Sequence, residues 1–321
     1  MLAPLKWIEE FVPLHLPARK VADLFTSIGL ECEGIGVVEG TEVLELDTPS
    51  NRTDILSIYG LARELAVRTD QPLSPLSTKR AIYSEVGDGA VEIQLLDDQC
   101  QHYLGIPLQL SPSPHTDLSE KLLWMGRNPI HPVVDLANVV LFETGQPLHL
   151  FGRAHLEKGL QVGVGRTGCF EGLDGEAYDL SPSDLLVLSG EEVLAIAGLL
   201  GGCRSAAQEG EGAFYLEAAT FAPHRVRRTG RRLSLSTDSS YRFERGVDPQ
   251  GYLLGAERFL WWVKKLGWGG QEGEGSFVGN SHDASLTIPW QGKEVESRLG
   301  FALPPHEEER IFFGLGLERK R

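Results

Sequence analysis

Cysteine is scarce in this 321-residue chain, and the four present (Cys32, Cys100, Cys169, Cys203) stand far apart with no Cys-x-x-Cys pairing. That argues against a disulfide framework or a cysteine-ligated zinc site and fits a reducing compartment. Long apolar runs are missing too; none approaches the ~20 residues that span a bilayer. The first residues, MLAPLKWIEEF, carry charge too early for a secretory signal. The expectation is a soluble cytoplasmic protein with no membrane partner. Basic residues are outnumbered, 30 Lys and Arg against 45 Asp and Glu, for a formal net charge of -15. This balance argues against wholesale coating of nucleic acid or of an anionic membrane, and leaves room for a local basic site. Also missing are a P-loop, a dinucleotide glycine pattern, a Gly-x-Ser-x-Gly elbow and a credible cysteine nucleophile. No spacing of His, Cys and carboxylates reads as a metal site, so no metal and no organic cofactor are expected.

Against this acidic background, arginine is concentrated in one place. Arg225, Arg227, Arg228, Arg231 and Arg232 fall within a single short stretch. If that stretch is helical, Arg225, Arg228 and Arg232 share one face at i, i+3, i+7. Such a face suits the phosphates of a nucleic-acid end. Internal ion pairing among 45 acids is the other use open to it.

Strand and helix signals are interspersed without a regular βαβ rhythm, which predicts an α+β fold. Strands are expected at 41–47, 91–95, 161–165, 185–188 and 192–196. Helices are expected at 54–67, 118–125, 132–142, 221–233 and 252–266. Composition divides the chain into a small N-terminal α+β module (1–80), a central domain (81–250), a helix with a glycine-rich linker (251–285) and a partial second small module (286–321). The first and last pieces resemble each other. Leu16/Leu303, Pro17/Pro304, Phe25/Phe312, Gly29/Gly316, Leu30/Leu317 and Glu31/Glu318 match at one constant offset. Each copy reads as proline opening a helix and glycine closing it. Chance similarity is the alternative for so short a match.

Besides the arginines, three features of the central region can carry chemistry. Glu217 ends a strand-like AFYLE and is followed by small residues, as a hydrogen-bond acceptor inside a pocket would be; a structural carboxylate paired with arginine reads the same way. His149, in GQPLHLF, is placed to act on water as a neutral imidazole, or is a satisfied core histidine. The AGLLGG run to Gly202 is a strand entering a glycine turn, which admits a ligand to the backbone or is simply a tight turn. The polar turn at Thr237 to Ser239 follows the arginines.

Together these motifs resemble the β subunit of bacterial phenylalanyl-tRNA synthetase. The matching segments, in the family's order, are LELDTPSNRTDILSIYGLAREL, VVDLANVVLFETGQPLHLF, LAIAGLLGG and RRTGRRLSLSTDSSYRFERGVDP. The resemblance covers essentially the whole chain and implies the N-terminal part with the editing domain. It lacks the OB-fold insertion, the catalytic-like domain that docks the α subunit, and the anticodon-binding domain. In the family this domain hydrolyses tyrosine mischarged onto the phenylalanine tRNA. The need is physical, because an aromatic pocket cannot strongly reject an analogue that merely adds a hydroxyl.

Carried over residue by residue, the resemblance implies that Glu217 accepts the phenol hydroxyl, His149 handles the hydrolytic water and Gly201 keeps the pocket open. Thr237 and Ser239 form its wall. Departures fall at the pocket edge. Asn128 stands where the family has an arginine for the tRNA terminus, with Arg127 beside it as a substitute. His131 and Pro132 replace polar or small residues, and Ala137 and Val139 replace a threonine and a tyrosine. Backbone N–H groups near Gly201 are candidate oxyanion donors.

The function expected is a free-standing editing-type hydrolase of a mischarged, Tyr-tRNA(Phe)-like ester. It would not aminoacylate. Its partners would be the aminoacylated 3′ end of tRNA, gripped by Arg127, Arg225, Arg228 and Arg232, and a synthetase subunit or other protein. The alternatives are a non-catalytic paralogue that binds tRNA or a protein, and a truncated synthetase β subunit.

Overall fold

The computed structural model describes residues 1–84, 91–208, 210–279 and 286–319. The N-terminal part comprises β1 (Leu2–Pro4), α1 (Leu5–Glu9), α2 (Ala18–Ser27), β2 (Cys32–Val38), β3 (Thr41–Leu46) and α3 (Ile58–Thr69). Its three strands form an antiparallel sheet in the order β1-β3-β2. The helix expected from residue 54 starts later. A single 3-10 turn covers Thr53–Ile55, and Ser57 then caps α3 by accepting from the Gly60 amide at 3.0 Å.

The central part runs through β4 (Tyr83–Ser84), β5 (Ile93–Leu95), β6 (Cys100–Leu110), α4 (Thr116–Trp124), α5 (Pro132–Thr144), β7 (Leu148–Gly152) and β8 (Leu160–Gly163). It continues through β9 (Gly168–Glu171), β10 (Ala177–Leu180), β11 (Leu186–Ser189), β12 (Glu192–Ile196), β13 (Leu200–Gly201) and β14 (Ala213–Phe221). Then come α6 (Pro223–Leu233), α7 (Asp238–Phe243), α8 (Gly251–Leu266), β15 (Gly269–Gln271), β16 (Gly275–Gly279), α9 (Gly292–Leu299) and α10 (Pro305–Gly314). The α+β class read from the pattern is what the chain adopts.

Two sheets dominate. One has the order β4-β16-β6-β14-β7, with β15 also paired to β6; the other has the order β13-β12-β11-β8-β5. The glycine-rich stretch after α8, read above as a linker, is corrected in part: β15 and β16 both hydrogen-bond to β6 and extend the first sheet. Glycine's weak strand propensity is overridden there by a long partner strand with free edges to satisfy. Residues 280–285 of that linker lie outside the described residues.

Strands β6 and β14 are buried on both faces. Leu104, Ile106, Leu108, Phe214, Leu216 and Ala218 join a core with α5, α8 and the N-terminal module. Tyr103, Tyr215 and Ala219 join a second core with β8, β11 and β12. A doubly covered strand reads as a continuous apolar run rather than an alternation, so neither strand shows which residue faces which core.

Buried polar contacts tie the N-terminal module to the rest. Arg242 donates from Nε and Nη2 to the Leu56 carbonyl at 3.0 and 2.8 Å. Glu143, fully buried on α5, accepts from Arg258 on α8 at 2.6 and 2.9 Å and from the indole N–H groups of Trp7 and Trp262 at 3.4 and 3.3 Å.

The likeness between the chain's two ends extends to backbone geometry. Gly29 and Gly316 close α2 and α10 at φ of 88° and 85°, and the Leu30 and Leu317 amides donate back to Phe25 and Phe312 at 3.0 and 2.8 Å. The surroundings differ: Leu30 is buried, whereas Leu317 is exposed. Among the described residues no helix is long and apolar enough to cross a membrane.

Candidate functional site between the two sheets

Strand β14 lies between β6 and β7, and its register sets Glu217 opposite Gly105 on one side and His149 on the other. Directly paired residues project from the same face of an antiparallel sheet. Carboxylate and imidazole therefore stand side by side, facing the five-stranded sheet. From that sheet Gly201 approaches so closely that a Cβ built on it would lie 2.4 Å from His149 Cε1 and 2.9 Å from Nε2. A side chain at 201 must displace the imidazole. The histidine cannot yield freely, because its ring packs edge-on against Phe151 at 4.5 Å. Gly201→Ala is accordingly expected to lower the melting temperature and to cost any His149-dependent reaction about a hundredfold, the usual result of moving a reacting group by an ångström. Parallel rate and thermal-melt measurements on the variant check this, and an unchanged rate would remove Gly201 from the site.

Glu217 is 7% exposed. Burial raises its carboxyl to about 7, against the opposing pull of a hydrogen bond from Tyr103. That bond runs from the Tyr103 hydroxyl to Glu217 Oε2 inside the protein. Gly105, directly across from Glu217, leaves a gap that the Tyr215 ring fills; a Cβ there would lie 2.3 Å from Tyr215 Cε1. Burial also lowers His149 to about 4, so its imidazole is neutral at pH 7. Its Nε2 is buried with no hydrogen-bond partner among the described residues. A group so weakly basic orients a water better than it strips one.

The remaining expected residues sort themselves around this pair. Thr237 caps α7, accepting from the Ser240 amide at 3.0 Å and donating to the Leu199 carbonyl at 3.1 Å. The turn carrying Thr237 and Ser239 is thereby fastened two residues from Gly201. Arg127 pairs with Asp238 at 2.7 Å, which places a guanidinium at that same turn. Asn128 beside it is exposed.

His131 is placed elsewhere. It sits at the start of α5 with its ring 6.5 Å from Phe214, on the helical side of β14 and away from Glu217. The arginines of α6 divide. Arg225 donates to the Ser183 carbonyl at 3.3 Å, and Arg232 holds buried Asp184 and the Asp179 carbonyl. Arg227, Arg228 and Arg231 are exposed. The amides of Gly202 and Cys203 are spent on Leu194 and Glu171 carbonyls, at 2.8 and 3.1 Å, and are not free for an oxyanion. Among the described residues no cluster of three or more His, Cys, Asp or Glu gathers to hold a metal. A surface cleft of about 510 Å³, lined by His155, Lys158, Glu191, Arg204 and neighbours, takes in none of these residues.

Sequence reasoning missed Tyr103, Tyr215 and Gly105. A signal exists in hindsight of register: Tyr103, Gly105 and Pro107 alternate with Leu104, Ile106 and Leu108.

A family profile described as the B3/4 domain matches residues 102–267. The phenylalanine–tRNA ligase β subunit of Rhodopirellula baltica is 34% identical over 325 residues, which cover 99% of this chain and 47% of that protein. That of Aquifex aeolicus is 36% identical over 212 residues, 65% of this chain and 27% of that protein. The chain thus spans about half, or less, of the length of these relatives. A crystal structure of an N-terminal fragment of the phenylalanyl-tRNA synthetase β-subunit from Pyrococcus horikoshii aligns over 100% of this chain and 91% of its own, with a TM-score of 0.45 at 10% identity.

Proposed function

The chain belongs to the B3/4-domain family and is similar along nearly its whole length to the N-terminal part of phenylalanine–tRNA ligase β subunits; on that premise we propose that it is an editing-type hydrolase of mischarged aminoacyl-tRNA, with tyrosine on the phenylalanine tRNA as its substrate class. The observation that carries this reading is the pairing of Glu217 with His149 across β14 and β7, under Gly201 of the facing sheet. A water held at neutral His149 adds its oxygen to the ester carbonyl carbon. The carbonyl–ribose oxygen bond breaks, and the proton passes to the ribose oxygen. Glu217 selects the side chain by accepting the phenol O–H, a bond that phenylalanine cannot make; the unpaired acceptor then costs ~1–3 kcal/mol or more.

The 3′ end of the tRNA is the partner this chemistry requires. Arg127, beside the Thr237–Ser239 turn and paired with Asp238, and exposed Arg228 on α6 are the cations this reading assigns to its phosphates. A synthetase subunit is the protein partner suggested by the relatives' identity as ligase β subunits.

Deacylation of tyrosyl-tRNA(Phe) and phenylalanyl-tRNA(Phe) tests the proposal. Expected is faster release of tyrosine, a loss of about 10²–10⁴-fold in His149→Ala, and loss of the Tyr-over-Phe preference in Glu217→Ala. No release above the uncatalysed rate with either ester would reject it. That result would favour instead a non-catalytic relative that binds tRNA ends, a reading supported by the near closure of Glu217, at 7% exposure, and by exposed Asn128, where the resemblance implies an arginine.

A further inference from the structure

Glu217 already receives a phenol, and it comes from the chain itself. Tyr103 is fully buried, and its hydroxyl donates to Glu217 Oε2. The geometry follows from the register. Glu217 faces Gly105 on β6, and Tyr103 lies two residues along on the same face, opposite Ala219. A diagonal neighbour of this kind is within reach of a long aromatic side chain. Glycine at 105 leaves a gap that the Tyr215 ring fills. Two tyrosines thus seal the carboxylate on the β6 side. On the other side stands His149 of β7, under Gly201.

We propose that Tyr103 is the positioning residue of this site: by holding Glu217 Oε2 it presents Oε1 alone to the ligand, as an acceptor for a ligand hydroxyl. The inference deepens the editing reading and rests on it for the identity of that ligand, but the state of the carboxylate can be read without any turnover. The described hydrogen bond to the Glu217 side chain is the one from Tyr103 to Oε2. A carboxylate that is ionised can only accept, which is what discriminates a ligand that ends in O–H from one that ends in C–H. The Tyr103 bond favours the ionised form, against the burial that disfavours it. The other titratable groups facing the carboxylate are Cys100 on β6, Tyr215 on β14 and His149 on β7; burial pushes both Cys100 and Tyr215 upward and His149 downward, so all three stay neutral near pH 7. No cation among them offsets the burial of the carboxylate; the Tyr103 hydrogen bond is what opposes it.

The test is a carbon-13 NMR titration of the full chain labelled at the glutamate carboxyl carbon, with the Glu217 signal assigned by its loss in Glu217→Gln. The wild-type midpoint is expected near 7. Tyr103→Phe keeps the ring and removes the donor, so the midpoint moves up by a unit or more. Replacing all seven tyrosines with 3-fluorotyrosine makes a stronger donor, and the midpoint moves down. The opposite signs separate positioning from a merely structural role, and the fluorinated protein decides the matter alone should Tyr103→Phe fail to fold. The same samples are assayed for tyrosyl- and phenylalanyl-tRNA(Phe) deacylation, where Tyr103→Phe is expected to lose about tenfold to a hundredfold of the preference for tyrosine at pH 7. A midpoint that stays put in both proteins overturns the role of Tyr103. Midpoints that move in a protein releasing neither amino acid uphold that role and reject the editing reading instead.

Discussion

Glu143→Ala is expected to destabilise the protein by about 3–5 kcal/mol, the cost of removing one member of a buried ion pair. Glu143 is fully buried and receives four donors at once, two from the Arg258 guanidinium and one from each indole of Trp7 and Trp262. Alanine leaves Arg258, itself only 4% exposed, with its charge uncompensated and two indole N–H groups without an acceptor. The remaining bond from Arg258 to the Ser77 carbonyl, 2.7 Å, does not neutralise that charge. Urea unfolding reads the effect as a fall in midpoint at unchanged slope. A double change to apolar residues of similar size, Glu143→Leu with Arg258→Met, is expected to recover most of the loss, because a buried pair contributes little net against well-packed hydrophobes. A single alanine variant within about 1 kcal/mol of wild type would mean that the pair is hydrated and that the helices are held by apolar packing alone.

Glu217→Gln is expected to stabilise the protein at alkaline pH by about 3 kcal/mol, with the gain developing between pH 4.5 and about 7. The carboxyl rises from its ordinary 4.5 when unfolded to about 7 when folded. Each unit of such a shift corresponds to about 1.4 kcal/mol. The direction follows from which form the fold prefers. Below pH 4.5 the carboxyl is protonated in both states and takes nothing from stability. As pH rises toward 7 the unfolded chain releases the proton first, and the folded state is penalised until its own carboxyl ionises. Glutamine keeps an acceptor for Tyr103 and never ionises, so the penalty is absent.

His149 works in a neighbouring window with the opposite slope. Its imidazole falls from 6.5 to about 4 on folding, so it contributes stability above pH 6.5 that is lost as pH falls toward 4. Wild-type stability alone would blur the two. The difference between wild type and Glu217→Gln, measured by denaturant unfolding across this range, isolates the carboxyl. A difference that does not change with pH would mean that Glu217 is solvated in the folded protein, and would weaken the case for a selective acceptor there.

Local signals in the chain were enough for several elements. Helix α5 begins at Pro132 and ends at Gly145 in the left-handed region, as proline at a start and glycine after an end imply. Helix α6 likewise opens on Pro223. The likeness of the two ends was legible because the same short pattern closes both helices, down to the Leu30 and Leu317 amides. The candidates themselves could be named from the chain, because His149 and Gly201 lie in segments that resemble the family and Glu217 stands alone at the end of the strand-like AFYLE.

Neighbourhood was not legible, and it is what makes a site. Whether Arg232 reaches out to a phosphate or inward to Asp184 depends on the loop between β10 and β11, which the sequence separates widely from α6. His131 lies just ahead of the segment that carries His149, yet the two fall on opposite sides of the sheet, because α5 packs on the face away from Glu217. Tyr103 is the clearest case. In β6, Tyr103, Gly105 and Pro107 alternate with Leu104, Ile106 and Leu108, but both sets are buried, so the alternation does not tell which core each set faces. Residue type, capping and turn chemistry act over a few neighbours and are written in the order of the chain. Register between β6, β14 and β7, and the approach of Gly201 from a second sheet, are settled only when two cores pack together. That packing alone turns Glu217 from one acid among 45 into a buried carboxylate beside a neutral histidine, with a tyrosine already in its grasp.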